Sequence, residues 1–192
     1  MKVIQLAKLS GLTVIATASP RNSEYLKTLG ADHVFPYNDP NTPAEIKKLT
    51  NGKLYLGYDT ISEKGTTQLL VDAFGCDPDI PTGKKKMLVN VLPTGPLDEK
   101  AQSVTQYTLS TFSLFGKEVS SWGMLLPPNA SDYAFSIHSY EMLERLLKEK
   151  KIQHQKIKVF GGLEKVPEGF AYMKEGKNNA EKIIYHPLET SA

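Results

Sequence analysis

Short apolar segments alternate with amphipathic segments along most of the chain, and this alternation limits its fold more than any other sequence feature. Residues 12–17 and 86–92 are mostly apolar and contain β-branched side chains, as in strands buried on both faces of a parallel sheet. Residues 23–29 and 65–74 have the apolar spacing of helices. Since strands that alternate with helices form βαβ units, we predict an α/β fold with a doubly wound, mostly parallel sheet.

Glycine, proline and polar residues set the predicted ends of these segments. Ser23 is the predicted N-cap of one helix, and Pro43 lies in the first turn of another, where its missing donor does no harm. Gly11 and Gly30 end two helices. The predicted helices are residues 3–9, 23–29, 44–50, 65–74, 136–150 and 166–174. The predicted strands are residues 12–17, 33–35, 54–58, 86–92, 156–160 and 182–185, with residues 107–119 also extended.

The predicted helix at residues 136–150 is the longest, and its apolar residues recur on one face. Such a stripe faces the core in most globular proteins. The residues that share this face are Ile137, Tyr140, Leu143, Leu146 and Leu147.

The charge balance and the single cysteine exclude several classes of protein. The 23 basic and 21 acidic side chains give a net charge of +2, and the lysine clusters at 84–86 and 148–151 are interpreted as solvated surface rather than as a nucleic-acid interface. Cys76 has no second cysteine to pair with, and the four histidines lack the spacing of metal ligands. We expect a cytoplasmic protein with no nucleic-acid partner and no metal site.

The amino-terminal segment is similar to a signal peptide only in outline. Lys2 precedes an apolar run and small residues at 16–18, but Gln5, Lys8 and Gly11 interrupt that run. A helix followed by a strand explains the same residues. No stretch reaches the roughly 18 apolar residues of a transmembrane helix, so no membrane partner is expected.

The residues after the first predicted strand favour a particular nucleotide. In doubly wound sheets, ligands bind beyond the carboxyl ends of the strands. Ser19 and Arg21 occupy that position here, and no acidic residue stands where a carboxylate would hold the ribose 2'-hydroxyl of NAD. A hydroxyl and a guanidinium suit a 2'-phosphate, because arginine supplies several charge-assisted donors. An ordinary exposed turn with one arginine also fits this pattern.

Several local sequences, taken in order, resemble the medium-chain dehydrogenase/reductase family. They are AKLSGLTVIAT at residues 7–17, LGADHVF at 29–35, YDTI at 58–61, GLEKVPEGF at 162–170 and EKII at 181–184. The resemblance covers nearly the whole chain and is strongest to the branch of enoyl reductases and zinc-free alcohol-dehydrogenase-like proteins. It implies a Rossmann-type sheet and NADP(H) as the cofactor.

The resemblance also assigns positions around the cofactor. It implies that Ser19, Arg21 and Tyr37 lie near the adenosine 2'-phosphate and ribose, and that Lys182 reaches a phosphate. It places Ile61 and the segment 91–93, including Val91 and Leu92, on the nicotinamide side. Tyr37 as an aromatic loop residue and Lys182 as a surface lysine at a strand end are equally compatible with the sequence.

The chain departs from the family pattern at the element that binds the pyrophosphate. The family has a GroES-like catalytic domain, then a strand and a glycine-rich loop at a helix N-terminus. This chain contains no Gly-x-Gly-x-x-Gly motif, and we expect it to start just after that loop. Residues 1–150 would then form an incomplete dinucleotide-binding domain, and residues 151–192 a segment of the kind that returns to the catalytic domain. Without the central first strand, the chain alone is expected to be marginally stable, oligomeric or aggregation-prone.

Three functions remain open from the sequence. The first is an NADP(H)-dependent oxidoreductase that reduces an activated alkene, a quinone or a carbonyl, as a homo-oligomer or a monomer. The second is a non-catalytic paralogue, or an NADPH-binding or interaction module. The third is another doubly wound protein such as a methyltransferase, which would also need a glycine-rich first loop.

No catalytic residue or proton donor is predicted. Asp59, directly after a strand, is interpreted as bracing the following loop rather than as an acid or base. Trp122 belongs either to a substrate pocket or to a subunit contact.

Overall fold

The computed structural model describes residues 1–75, 80–109, 111–121 and 123–191. Within these ranges helices and strands alternate through most of the chain, as predicted, and the fold is α/β. The helices are α1 (Lys2–Leu9), α2 (Ser23–Thr28), α3 (Thr42–Leu49), α4 (Thr66–Ala73), α5 (Ala130–Lys148) and α6 (Val166–Lys174). The strands are β1 (Ile15–Ala18), β2 (His33–Pro36), β3 (Leu56–Asp59), β4 (Met87–Asn90), β5 (Thr105–Thr108), β6 (Val119–Ser121), β7 (Met124–Leu126), β8 (Lys156–Val159) and β9 (Glu181–Ile184).

The chain divides into two compact units. The first contains Met1–Phe35 together with the segment from Leu146 onward, and the second is Pro36–Arg145. In the first unit the two distant segments are joined by Gln5, whose side chain accepts from the Gln153 amide at 2.7 Å and donates to the Gln153 carbonyl at 3.0 Å. A small core of Leu26, Leu29 and Ala31 lies within the amino-terminal segment.

The second unit contains the largest sheet of the described residues, in the order β3-β4-β5 with both pairs parallel. Asp59 is in register with Asn90, and Asn90 with Thr108, so the three strands end at one level. Its core contains Val71 and Phe74 at α4 and the fully buried Leu88 of β4. This register brings the loops after β3 and β4 together.

The other strands form pairs. β1 pairs with β2, β6 with β7 in antiparallel fashion, and β8 with β9 in parallel. None of the described helices is both long enough and apolar enough to cross a membrane.

The prediction of one extended segment at residues 107–119 is wrong. The chain there leaves β5 after Thr108, forms a 3-10 helix at Thr111–Phe115, and becomes extended again only in β6. Threonine and aromatic residues favour strands where they pack against neighbours. All four residues of β5 are exposed instead.

Two helix starts also differ from prediction. Ser23 is the first residue of α2 rather than its N-cap, a position that Asn22 takes without a side-chain bond. Helix α5 begins at Ala130, before the predicted residue 136, because the Asn129 side chain accepts from the Asp132 amide at 3.1 Å. An N-cap of this kind satisfies an amide that lacks a helical partner.

The apolar face of α5 is largely exposed in the structure. Ile137, Tyr140 and Leu147 are 46%, 69% and 43% exposed, although Leu143 and Leu146 are partly covered. Amphipathic spacing shows which residues share a face, but a second surface is needed to bury that face.

Candidate functional site

Asp59, at the carboxyl end of β3, organises the loop that follows it. Its carboxylate accepts from the amides of Ile61 and Ser62 at 3.0 and 2.9 Å, and from the hydroxyls of Thr66 and Thr67 at 2.9 and 2.7 Å. Both threonines belong to the first turn of α4, so one buried carboxylate joins a strand end, a loop and a helix start.

The contacts of Asp59 also decide its charge state. Burial raises its pKa, but the hydrogen bonds from Thr67, Ser62, Ile61 and Thr66 outweigh this effect and hold the pKa below its usual value. A carboxylate that is stabilised as an anion is a poor proton donor near neutral pH. The geometry therefore matches the structural role predicted for Asp59.

Two connections join the loops after β3 and β4. The Val91 amide donates to the Ser62 hydroxyl at 3.0 Å, across 29 residues of sequence. The Asn90 side chain donates to the Thr67 hydroxyl at 3.3 Å, and Thr67 in turn donates to Asp59. Ile61 and Val91, two of the predicted nicotinamide-side residues, are thus held in neighbouring loops.

The turn after β1 carries the other predicted contacts. Ser19 has extended backbone and precedes a 3-10 helix at Pro20–Asn22, and its hydroxyl makes no capping bond. Arg21 is exposed, and it forms no ion pair within the part of the chain that the structure describes. The nearest carboxylate in sequence, Glu24, pairs with Lys27 at 2.8 Å instead.

Asp32 does not supply the carboxylate that the sequence lacks after β1. Its side chain accepts from Lys8 at 2.6 Å and from the Val14 amide at 2.8 Å, and these bonds lower its pKa. Val14 stands just before β1, so Asp32 lies at the amino end of that strand, opposite Ser19.

The remaining predicted residues lie at exposed positions. Tyr37 follows β2 and is 50% exposed, and Lys182 is exposed on β9. Leu92 is exposed in the loop after β4. Ser19, Arg21 and Lys182 belong to the first unit, and Tyr37, Ile61, Val91 and Leu92 to the second. Cys76 and Trp122 fall outside the described residues.

Sequence reasoning missed Ser62, Thr67 and Asn90. All three are at least 93% buried, with exposures of 7%, 4% and 1%. A serine and three threonines within eight residues of a strand-end aspartate are the signal that was present, since short hydroxyl side chains bond readily to nearby acceptors. Asn90 had no such signal, because its partner Thr67 lies 23 residues away and is brought near it only by the register of the strands.

No metal cluster accompanies these residues in the described part of the chain. Within the described ranges no group of three or more His, Cys, Asp and Glu side chains has the geometry to hold a metal ion. Two open clefts occur, one of about 530 Å³ beside Pro127 and one of about 650 Å³ beside Gln5 and Gln153. None of the predicted cofactor residues lines either cleft.

Comparison with known proteins gives consistent matches. The zinc-binding dehydrogenase family matches residues 1–75. The trans-enoyl reductase ACTTS2 of Alternaria alternata is 37% identical over 183 residues, which cover 95% of this chain and 50% of that protein. A zinc-type alcohol dehydrogenase-like protein of Schizosaccharomyces pombe is 34% identical over 183 residues, with 95% and 51% covered.

The solved structure of mycobacterial Rv1454c complexed with NADPH aligns with a TM-score of 0.69 at 14% identity, over 96% of this chain and 52% of that one. At this identity the likeness shows the fold alone, which is of the Rossmann type. The chain spans about half the length of the curated relatives that it matches.

Proposed function

Because the chain belongs to the medium-chain dehydrogenase/reductase family, we propose that it is the nucleotide-binding part of an NADP(H)-dependent oxidoreductase. The family match at residues 1–75 includes the turn after β1, and that turn carries the proposal. Arg21 offers there an exposed guanidinium that no described carboxylate neutralises. A dianionic 2'-phosphate is the group on a dinucleotide that such a side chain recognises.

The neighbouring side chains support discrimination against NADH. The Ser19 hydroxyl adds a second donor in the same turn, and Asp32 is held at the opposite end of β1 by Lys8. A carboxylate at the Ser19 end would bond the ribose hydroxyls of NADH and repel a 2'-phosphate. We assign Tyr37 to the ribose and Lys182 to a phosphate as part of the same proposal.

The loops after β3 and β4 would hold the nicotinamide half. NADPH, when bound, supplies the hydride, and the protein supplies orientation and a suitable environment. Ile61 and Leu92 present exposed apolar side chains for a ring face, 54% and 37% exposed. The bonds at Asp59, Ser62 and Val91 keep these two loops in a fixed arrangement.

The relatives favour a substrate class. Trans-enoyl reductases are named for reduction of a carbon-carbon double bond, and ACTTS2 bears that name. An alkene activated by a neighbouring carbonyl is therefore the first choice of substrate, ahead of a quinone or an isolated carbonyl. No group of His, Cys, Asp and Glu side chains among the described residues has the geometry to hold the zinc in the family's description. The cytoplasm is the location that goes with this proposal.

The test is a titration of the chain with NADPH and NADH, followed by intrinsic fluorescence or calorimetry. We expect tighter binding of NADPH. Arg21→Ala should weaken NADPH by about 2 kcal/mol, the usual contribution of a hydrogen bond to a charged group, and leave NADH unchanged.

Arg145→Ala is the matched control for this titration, because Arg145 is the other arginine of the chain and lies exposed on α5. It removes the same charge and should alter neither affinity. Equal losses of NADPH and NADH binding in Arg21→Ala would contradict the assignment of the 2'-phosphate.

A non-catalytic NADPH-binding module is the second candidate. One observation favours it: Asp59, the titratable group between the two nicotinamide-side loops, has both oxygens engaged by Ile61, Ser62 and Thr67. Consumption of NADPH in the presence of an enoyl thioester separates the two candidates. Binding without consumption would support the module, whereas steady oxidation of NADPH would support the reductase.

A further inference from the structure

We infer that Ser62 is a positioning residue that fixes the loops after β3 and β4 to each other and so determines how the nicotinamide half of the cofactor is held. This inference rests on the proposed function, because it assumes that the cofactor's reactive end meets these two loops. Ser62 itself is only 7% exposed, so it acts through its neighbours and not by touching the cofactor.

The backbone of Ser62 shows what its side chain contributes. Its φ is 60°, in the left-handed region where glycine is free of steric cost and other residues are strained. What serine adds over glycine at this position is one methylene and one hydroxyl, and of these only the hydroxyl forms hydrogen bonds. That hydroxyl accepts from the Val91 amide at 3.0 Å and donates to the Asp59 carbonyl at 3.3 Å, so both of its bonds go to backbone at strand ends.

A second, parallel connection runs through side chains. Asn90 donates to Thr67 at 3.3 Å and Thr67 donates to the Asp59 carboxylate at 2.7 Å, so the end of β4 is bonded to the end of β3 through α4. The side-chain amide oxygen of Asn90, Oδ1, is buried without a partner among the described residues. An unpaired buried acceptor is unfavourable for folding, so stability alone does not account for this asparagine.

The two connections differ in what they hold. Asn90 and Thr67 tie together the strand end and the helix, whereas Ser62 ties together the loop residues beyond them. Val91 and Ile61 adjoin the Ser62 bond directly, one as the donor and the other as the preceding residue. Loss of the hydroxyl should therefore free the loops without removing the Asp59 network beneath them.

Ser62→Gly tests this inference, since glycine adopts the required φ and removes the CH2OH side chain that carries the hydroxyl. The probes are NADPH, which has both halves, and adenosine 2',5'-bisphosphate, which has only the adenosine half. We expect NADPH affinity to fall about three- to tenfold, the range expected for one hydrogen bond, while the bisphosphate binds as before. The enhancement of nicotinamide emission on binding should also decrease, and a merely structural role would not produce that split.

Asn51→Gly is the matched control. Asn51 also has a positive φ, 49°, in the second unit, but it is exposed and lies outside the two loops. It should leave both affinities and the emission unchanged.

If Ser62→Gly binds both probes as the unaltered chain does, or loses both equally, the inference is wrong while the proposed function stands. If the unaltered chain binds neither probe, the proposed function fails and the inference fails with it.

Discussion

At the scale of single residues, Asp59 has the most informative surroundings in the candidate site. Its carboxylate accepts from two backbone amides and two hydroxyls while almost fully buried. Removal of the negative charge would leave those donors facing a weaker acceptor or an amide group. We therefore expect loss of the charge to lower the free energy of unfolding more than it lowers the affinity for the cofactor.

Asp59→Asn is expected to lower the free energy of unfolding by about 2 kcal/mol, because hydrogen bonds to a charged group are lost. Urea denaturation at neutral pH measures the change. Glu63→Gln is the control, since Glu63 is exposed in the same loop and also loses a carboxylate charge. A similar loss in both variants would mean that net charge, and not the Asp59 network, is responsible.

The pKa of Asp59 gives the same experiment a pH dependence. Folding lowers this pKa, so the ionised group stabilises the fold fully above its unfolded value of about 3.9. The contribution is lost as the pH falls from there through the lower folded pKa. We expect the difference in free energy of unfolding between the unaltered chain and Asp59→Asn to shrink in that acidic window. A difference that stays constant with pH would contradict the assigned charge.

The position of a candidate residue in the fold was predictable only where it depended on a strand end. Ser19 and Arg21 come directly after β1, and the apolar run of that strand is visible in the sequence. Ser62 and Asn90 were not predictable, because their partners Val91 and Thr67 lie 29 and 23 residues away in sequence. Such pairs depend on strand register, which a single sequence does not contain.

At the scale of elements, helix α5 shows how a capping residue extends a helix beyond its apolar pattern. The Asn129 side chain accepts from the Asp132 amide, and the Asn129 backbone carbonyl accepts from the Tyr133 amide at 3.1 Å. Both acceptors of Asn129 thus bond to amides in the first turn of the helix. The sequence predicted a later start because the apolar repeat begins only near Ser136. Most other helices and strands were predicted within a few residues, since their periodicity and glycine boundaries are local signals.

Replacement of Asn129 should lower the free energy of unfolding only when the new side chain cannot cap helix α5. We expect Asn129→Ala to lower the free energy of unfolding by about 1 kcal/mol, and Asn129→Asp to preserve it, because aspartate caps equally well and suits the helix dipole. Thermal unfolding followed by circular dichroism compares the three proteins. An equal loss in both variants would show that Asn129 stabilises α5 by something other than its cap.

At the scale of the whole molecule, the exposed apolar face of α5 is a surface that can join two copies of the chain. Tyr133, Ile137 and Tyr140 recur at helical spacing and are each at least 45% exposed. Exposed apolar stripes on soluble chains drive association, because burial of their surface is favourable at roughly 25 cal/mol per Å².

We therefore expect the chain to self-associate as its concentration rises, with sedimentation velocity as the measurement. The double variant Ile137→Lys, Tyr140→Lys should stay monomeric over the same range. His138→Lys adds a charge on a different face of α5 and should associate like the unaltered chain. If the double variant associates equally, the stripe is not the contact.

The first unit draws on both ends of the chain, and this has a consequence for synthesis on the ribosome. Its two segments meet through Gln5 and Gln153, which are 148 residues apart. The second unit is continuous and has all its residues as soon as Arg145 has emerged. A nascent chain can thus complete the sheet of β3, β4 and β5 early. The bonds that join residues 1–35 to the rest of the first unit must wait until translation has supplied the residues from Leu146 onward.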